Sequence, residues 1–397
     1  MTDRATLAVL DALEAEGGAD CARFVGGCVR NTLMGLEASD IDIATVLTPE
    51  RVTRAIEAAG LRAVPTGVDH GTVTAIADHR PFEITTLRRD VSTDGRNATV
   101  AFSTDWAEDA QRRDFRLNAL YADRAGQVFD HVGGGIDDAE FGRIVFVGDP
   151  ETRIREDYLR ILRFFRFFAW YGQPGQADAA GLDACAAMKG GMDRLSAERI
   201  SKELLRLLEA ADPREAVRLM DQAGVLEVVL PGPLERDRFE AMVGIDADPI
   251  LRLSALLPDD PETVREHARR LRLSNAQRDR LCGAAMASVP VSLDMDLRAA
   301  RAAIYRLEPG AFEDRVRRLW AASPAHAEPA RQLLMLAGSW KRPTFPIGGA
   351  EALAAGATGP DVGRLLRAVE DWWVAEDFPA GGALAKLHQL AAGEAGA

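Results

Sequence analysis

Cysteine is scarce in this chain: Cys21, Cys28, Cys185 and Cys282 are the only four in 397 residues, and no two share a CxxC spacing. That speaks against a disulfide framework and a structural zinc site, and suits a reducing, cytoplasmic setting. Long apolar runs are missing too. No stretch approaches the ~18 residues of a membrane span, so no membrane partner is expected. The opening MTDRATLAVLDALEAEGG carries acids where a secretory leader needs a basic start. Positive charge is in deficit, with a formal net charge of −13. This argues against a general nucleic-acid coat protein. An enzyme acting on nucleic acid stays compatible, because local field matters more than the total. There is no clear internal repeat or low-complexity linker, only a Gly/Ala-rich junction near residue 350.

What is present reads as an ordinary globular chain of two or three domains. Up to about residue 135, β-like runs (RFVGG, DIDIATV, GTVTAIAD, RPFEITTLR, QVFDHV) alternate with helical segments, punctuated by Gly, Pro and Asp. TPERVTRAIEAAG has a Thr cap and a Pro at the first helical position, and stops at Gly60. After Gly133–Gly135 the texture changes, and from about 150 onward the pattern is almost wholly helical. An α+β head followed by an all-helical remainder is expected.

DIDIATV, from Asp40, alternates acid and isoleucine. On a strand Asp40 and Asp42 share one face, about 6–7 Å apart, and Ile41 and Ile43 share the other. At an effective dielectric of about 20 the two carboxylates repel by roughly 2–3 kcal/mol, so opposite charge belongs beside them. A divalent metal is one candidate and a pair of arginines another. Some ten residues earlier stands FVGGCVRN, a strand running into Gly26-Gly27 and then a helix. Its backbone N–H groups and Arg30 suit a phosphate, although a tight strand-to-helix turn explains the glycines equally well. Together the two motifs supply the parts for metal-assisted nucleotidyl transfer. Arg153, Arg155, Arg160, Arg163 and Arg166 bunch in one helical-looking segment, which is either a solvated helix face or an RNA surface.

GGCVRN…SDIDIAT is similar to the head domain of the bacterial-type (class II) CCA tRNA nucleotidyltransferase and poly(A) polymerase family. The resemblance implies a polymerase-β-like nucleotidyltransferase head over 1–135, with Asp40 and Asp42 holding Mg²⁺. A helical neck (136–210) that recognises the base, a helical body (211–345) and a helical tail against tRNA (346–397) would follow. RRDFRLNALY, Arg112 to Tyr121, matches the segment that takes the ribose and phosphates. Asp114 and Asn118, four apart, would share a helix face toward the ribose, and Arg112, Arg113 and Arg116 would address phosphates. REDYLRILRFFRF resembles the protein template that selects the base. A fixed Arg donor beside a fixed Asp acceptor pairs with C or A and rejects U or G, a task that fits Asp157 and Arg160, with Glu156 bracing the arginine. An ordinary surface salt bridge is the plainer reading. Ile154, Ile161, Leu162, Phe165 and Phe168 read as core. Arg163 is assigned a supporting role, and LSAERISKEL, with Glu198 and Arg199, a bracing one. GPDVGRLLRAVEDWW resembles the tail.

Glu83, in FEITTLRRD, is a possible third carboxylate of the cleft or a strand residue paired to an arginine. Arg88 to Phe102, with Gly95 and Arg96, is similar to the family's mobile loop. The family usually has Asp where this chain has Asn31. The six histidines (His70, His79, His131, His267, His326, His388) are dispersed and no His-Asp dipeptide occurs, so no fused phosphohydrolase module is expected. The implied reaction is addition of C, C and A to the tRNA 3′ end from CTP and ATP, without a nucleic-acid template. A poly(A) polymerase is a close rival, although VPTGVDHGTVTAI (Val64 to Ile76) looks like the CCA-adding type. An enzyme adding only C or only A, and a catalytically retired RNA-binding module, complete the alternatives.

Overall fold

Alternation of buried and polar side chains builds a seven-stranded sheet at the N-terminal end of this computed structural model, which describes residues 3–38, 40–67, 71–92, 99–286 and 288–394. Gly95, Arg96 and His70 fall outside the described residues. The strands are β1 (Ala22–Val25), β2 (Asp42–Thr45), β3 (Arg62–Gly67), β4 (Thr72–Ala77), β5 (Arg80–Thr86), β8 (Leu120–Ala122) and β9 (Val128–Asp130). Their spatial order is β3-β4-β5-β2-β1-β8-β9, and β6 (Arg88–Ser92) pairs with β7 (Thr99–Phe102) as a separate hairpin. β2 and β5 run parallel, while the other pairs are antiparallel.

Register decides which side chains share a face. Asp42 lies opposite Glu83, and Glu83 opposite Thr74. One row on, Ile43, Ile84 and Val73 are aligned and fully buried. A period of two thus puts apolar rows into the core and a polar row on the other side. Around the sheet stand α1 (Arg4–Gly17), α2 (Gly27–Leu33), α3 (Pro49–Ala58), α4 (Trp106–Gln111) and α5 (Gly135–Glu140). The expected helix over 48–60 is α3, with Thr48 as cap and Pro49 first.

Helices then take over: α6 (Pro150–Glu156), α7 (Leu159–Tyr171), α8 (Ala179–Met188), α9 (Ala197–Leu208), α10 (Arg214–Gln222) and α11 (Val225–Val229). α7 packs on α9 and α10. Ile154, Ile161, Leu162, Phe165 and Phe168 are core, as expected. Met1–Gly232 forms one compact unit and Pro233–Ala397 another. The second is helical from Arg236–Val243 to Ala383–Glu394. Within it the buried Arg238 and Arg318 both donate to the carbonyl of Leu257 and pair with Asp259.

Two local expectations are corrected. Arg112 to Tyr121 is not one helix. After α4 the chain is extended, because Phe115 bridges to Phe146, while Arg116 N–H donates to Val145 and Val147 N–H to Asp114. A single 3₁₀ turn (Arg116–Asn118) then leads into β8. Nor is Arg153 to Arg166 continuous. Asp157 is extended (φ −154°, ψ 108°) and separates α6 from α7.

Candidate active site

Asp40, Ile41, Asp42, Thr74, Arg80, Pro81 and Glu83 line one cleft of about 540 Å³. Asp42 opens β2, and the exposed Asp40 lies in the bend just before it. Burial pushes the Asp42 carboxyl up to about 6, with Glu83 and Asp40 adding repulsion and Arg113 opposing them. The sequence-derived pair and the third acid therefore share a cleft. Among the described residues, however, no group of three or more His, Cys, Asp or Glu side chains converges closely enough to make a ready metal cluster.

Gly26 sits between β1 and α2 with φ 70°, a conformation that favours glycine. A Cβ there would meet Arg113 Nη1 at 3.5 Å, so the turn and this arginine are neighbours. Gly27 opens α2. Arg30, read from the sequence as a phosphate partner, is buried and turned inward. Its Nη1 donates to Asn118 Oδ1 (2.5 Å), its Nη2 to Asn31 Oδ1 (2.7 Å) and to the Tyr171 hydroxyl (2.9 Å), and its Nε to Asn31 Oδ1 (3.1 Å). The guanidinium also lies over the Tyr171 ring, 4.0 Å from its centroid.

Asp114 and Asn118 do meet, but through a loop and a turn rather than one helix face. Asn118 Nδ2 donates to Asp114 Oδ1 at 3.1 Å, and that oxygen also takes Phe115 N–H at 2.9 Å. Asp114 Oδ2 accepts Arg163 Nε at 2.8 Å. Burial would raise this carboxyl, yet Arg163, Asn118 and Phe115 N–H hold it at about 2. In this structure both groups belong to a hydrogen-bonded chain, Asn31–Arg30–Asn118–Asp114–Arg163.

The helix break carries Asp157 and Arg160, the pair expected from the sequence to read the base. Asp157 Oδ1 accepts Leu159 N–H (3.1 Å), and its Oδ2 accepts Arg199 Nη2 (2.6 Å) from α9. Arg160 Nη1 donates to Glu156 Oε2 (2.5 Å) and to the carbonyl of Arg153 (2.8 Å), and its Nη2 to the carbonyl of Arg112 (3.1 Å). Glu156 and Arg199 thus brace the pair, and Glu198 lies in the first turn of the same α9. Three of the five N–H groups of Arg160 are engaged in these bonds, and both Asp157 oxygens keep lone pairs.

The arginine run is not an open cationic surface. Arg153 and Arg160 pair with Glu156, Arg155 with Glu151, Arg163 with Asp114 and Arg166 with Glu203. Sequence reasoning missed three participants: Tyr171, which caps Arg30, Glu203, and the buried Asp109, which holds Arg112 and Arg113. The i, i+3 and i, i+4 spacing from Asp109 to the two arginines was a usable signal. Tyr171 lies 141 positions from Arg30 and left none.

Residues 22–145 match the family model of the poly A polymerase head domain, and 179–235 that of the probable RNA and SrmB- binding site of polymerase A. The chain is 32% identical over 368 residues to the human mitochondrial CCA tRNA nucleotidyltransferase 1, covering 88% of this chain and 82% of the relative. It is 39% identical over 221 residues to the CCA-adding enzyme of Bacillus pumilus, covering 55% of this chain and 53% of that one. Among solved structures, the Bacillus stearothermophilus CCA-adding enzyme in complex with CTP superposes with a TM-score of 0.79 at 24% identity, covering 99% of this chain and 98% of that chain. The Thermotoga maritima CCA-adding enzyme superposes with a TM-score of 0.68 at 20% identity, covering 98% and 95%. These structural likenesses establish the fold, and the long match to the human enzyme establishes kinship. The chain belongs to the CCA tRNA nucleotidyltransferase and poly(A) polymerase family.

Proposed function

We propose that this chain adds C, C and A to the 3′ end of tRNA from CTP and ATP. The observation that carries the reading is the polar row of the sheet. It sets Asp42 beside Glu83, Asp40 joins them in the same cleft from the bend before β2, and Arg113 lies close enough to ease the charge on Asp42. Carboxylate pairs of this kind, on a head domain of this family, suit a divalent cation. Magnesium is the proposed one, with Asp40 and Asp42 as its holders. The oxygen-only donor set and the raised carboxyl of Asp42 both fit a hard cation. When bound, it supplies positive charge for the developing phosphorane. The primer 3′-hydroxyl attacks the nucleotide α-phosphate, and pyrophosphate leaves. Arg113, beside the Gly26 turn and within electrostatic reach of Asp42, would take triphosphate charge. Asp157 and Arg160 select C or A by their donor–acceptor pattern, and residues 136–210, 211–345 and 346–397 serve as neck, body and tail. No helix among the described residues is long and apolar enough to cross a membrane. The four unpaired cysteines suit a reducing compartment, proposed as the cytoplasm.

The test is incorporation on a tRNA that ends at its discriminator base, with each nucleotide separately and both together. Addition of C, C and A that requires Mg²⁺ is the expected result. Long poly(A) on arbitrary RNA would assign the chain to the polymerase branch. C alone or A alone would mark a partial enzyme.

A further inference from the structure

One buried anion beside the cleft has no part in the chemistry above. Asp109 lies on α4, 1% exposed. Its Oδ1 accepts Arg112 Nη2 (2.7 Å), Arg112 Nε (2.9 Å) and the backbone N–H of Arg88 (3.2 Å). Its Oδ2 accepts the Tyr121 hydroxyl (2.7 Å), Arg113 Nη2 (3.0 Å) and Arg113 Nε (3.3 Å). Six donors converge on a group with about four lone-pair sites, so the carboxylate is saturated. Burial by itself would raise its carboxyl, but Arg113, Arg112 and Tyr121 hold it at about 2, so it remains an anion at any working pH.

What the six donors belong to gives the cluster its meaning. Arg113 flanks the Gly26 turn and moderates Asp42. The carbonyl of Arg112 accepts from Arg160, one step from the helix break at Asp157. Arg88 opens β6, the first strand of the hairpin. At the hairpin's other foot, Ser103 Oγ donates to Glu108 Oε2 (2.5 Å). Neighbouring residues of α4 therefore grip both ends of the hairpin, and one of them also fixes both arginines. An ion pair formed only for stability needs one arginine and no link to a hairpin.

We infer that Asp109 is a positioning residue that locks Arg112 and Arg113 to the foot of the β6–β7 hairpin, so that nucleotide binding and hairpin order are coupled through one carboxylate. The inference rests on the nucleotidyltransferase reading. In the full chain, a nucleotide held by the arginine pair also steadies the start of β6.

The test combines steady-state kinetics with amide hydrogen exchange, using CTP as the probe. The wild type must incorporate nucleotide on tRNA, and failure there defeats the functional reading irrespective of Asp109. Asp109→Asn keeps the size and removes the charge. It is expected to raise KM for CTP and for ATP about tenfold, the scale of one charge-assisted hydrogen bond, with a smaller change in kcat. The CTP-dependent slowing of exchange at residues 86–92 is expected to vanish. Unchanged KM with exchange protection intact overturns the proposal. An equal loss of kcat for both nucleotides at wild-type KM also overturns it, since that pattern marks a purely structural role. Should Asp109→Asn fail to fold, Tyr121→Phe decides. It removes one of the six bonds and is expected to raise KM about threefold with reduced protection, and wild-type values in both measurements overturn the inference.

Discussion

At the scale of single residues, Asp42 links folding to function through charge. Its carboxyl titrates near 6 in the folded chain against an ordinary 3.8. Between those values the native state holds a proton that the unfolded chain has lost, so this group's contribution to stability falls as pH rises from about 4 to about 6. Above that the penalty stays in full, up to roughly 3 kcal/mol. Asp42→Asn should therefore raise the melting temperature at about pH 8, lose that advantage at about pH 4, and abolish transfer. Mg²⁺ should stabilise the wild type but not this variant. Thermal melts across pH with and without the metal check this, and an unchanged melting temperature at high pH would refute the electrostatic account. Asn31 poses the reverse case. Arg30 is buried among neutral partners, Asn31, Asn118 and Tyr171. Asn31→Asp loses the donation to the carbonyl of Glu37 (3.0 Å) but gives the cation a carboxylate. A gain of about 1–2 kcal/mol with activity held within about threefold is expected. A collapse in activity would mean that a neutral partner is required there. The acid pair of the cleft was legible from its spacing, but not its local form: Asp40 reaches the cleft from a bend before β2 rather than from the same strand face as Asp42. The inward turn of Arg30 was not legible, since beyond the adjacent Asn31 its partners lie 88 and 141 positions away.

At the scale of elements, the break between α6 and α7 was hidden from the sequence. EDYLR lies in a stretch without Gly or Pro from Glu151 to Tyr171, and helical periodicity runs through it. What breaks the helix is tertiary. Arg199 from α9 takes Asp157 Oδ2, and the Tyr158 ring lies so close to Gly191 that a Cβ there would meet Tyr158 Cε1 at 1.8 Å. Gly191→Ala must displace Tyr158 and with it the adjacent Asp157. A destabilisation of about 1–3 kcal/mol and a loosened choice between C or A and U are expected. Arg160→Ala should loosen the same choice, its cost in stability confined to the bonds it makes with Glu156 and with the carbonyls of Arg153 and Arg112. Misincorporation assays on both variants, beside their unfolding curves, distinguish a moved template from a missing one. An unchanged base preference in both would remove Asp157 and Arg160 from base selection. β8 escaped the sequence reading because its three residues are all buried and show no alternation.

At the scale of the whole molecule, the expected order held: an α+β head, then helices. The sequence texture changes near residue 135, whereas the compact unit runs to Gly232, because α6 to α11 pack among themselves and with the head. Local pattern registers where strands stop and is blind to where packing stops. Five core clusters illustrate the two sides of the later boundary. That of Val25, Ala44, Leu87 and Tyr121 lies wholly before it. The clusters of Ile304 with Phe312, of Leu365 with Leu387, of Met242 with Leu251, and of Tyr305 with Trp373 lie wholly after it. Every side chain assigned to transfer or base choice, from Gly26 to Arg199, falls in the first unit. A chain of residues 1–232 should therefore fold by itself with one cooperative transition, and be stabilised by CTP with Mg²⁺. Its affinity for tRNA should drop, since the body and tail proposed to hold the RNA are gone. Melting curves with and without CTP, and tRNA titrations against the full chain, provide the check. A fragment that shows no cooperative melt would place part of the first unit's core beyond Gly232. A fragment that binds tRNA as tightly as the full chain would move the RNA grip into the head and neck.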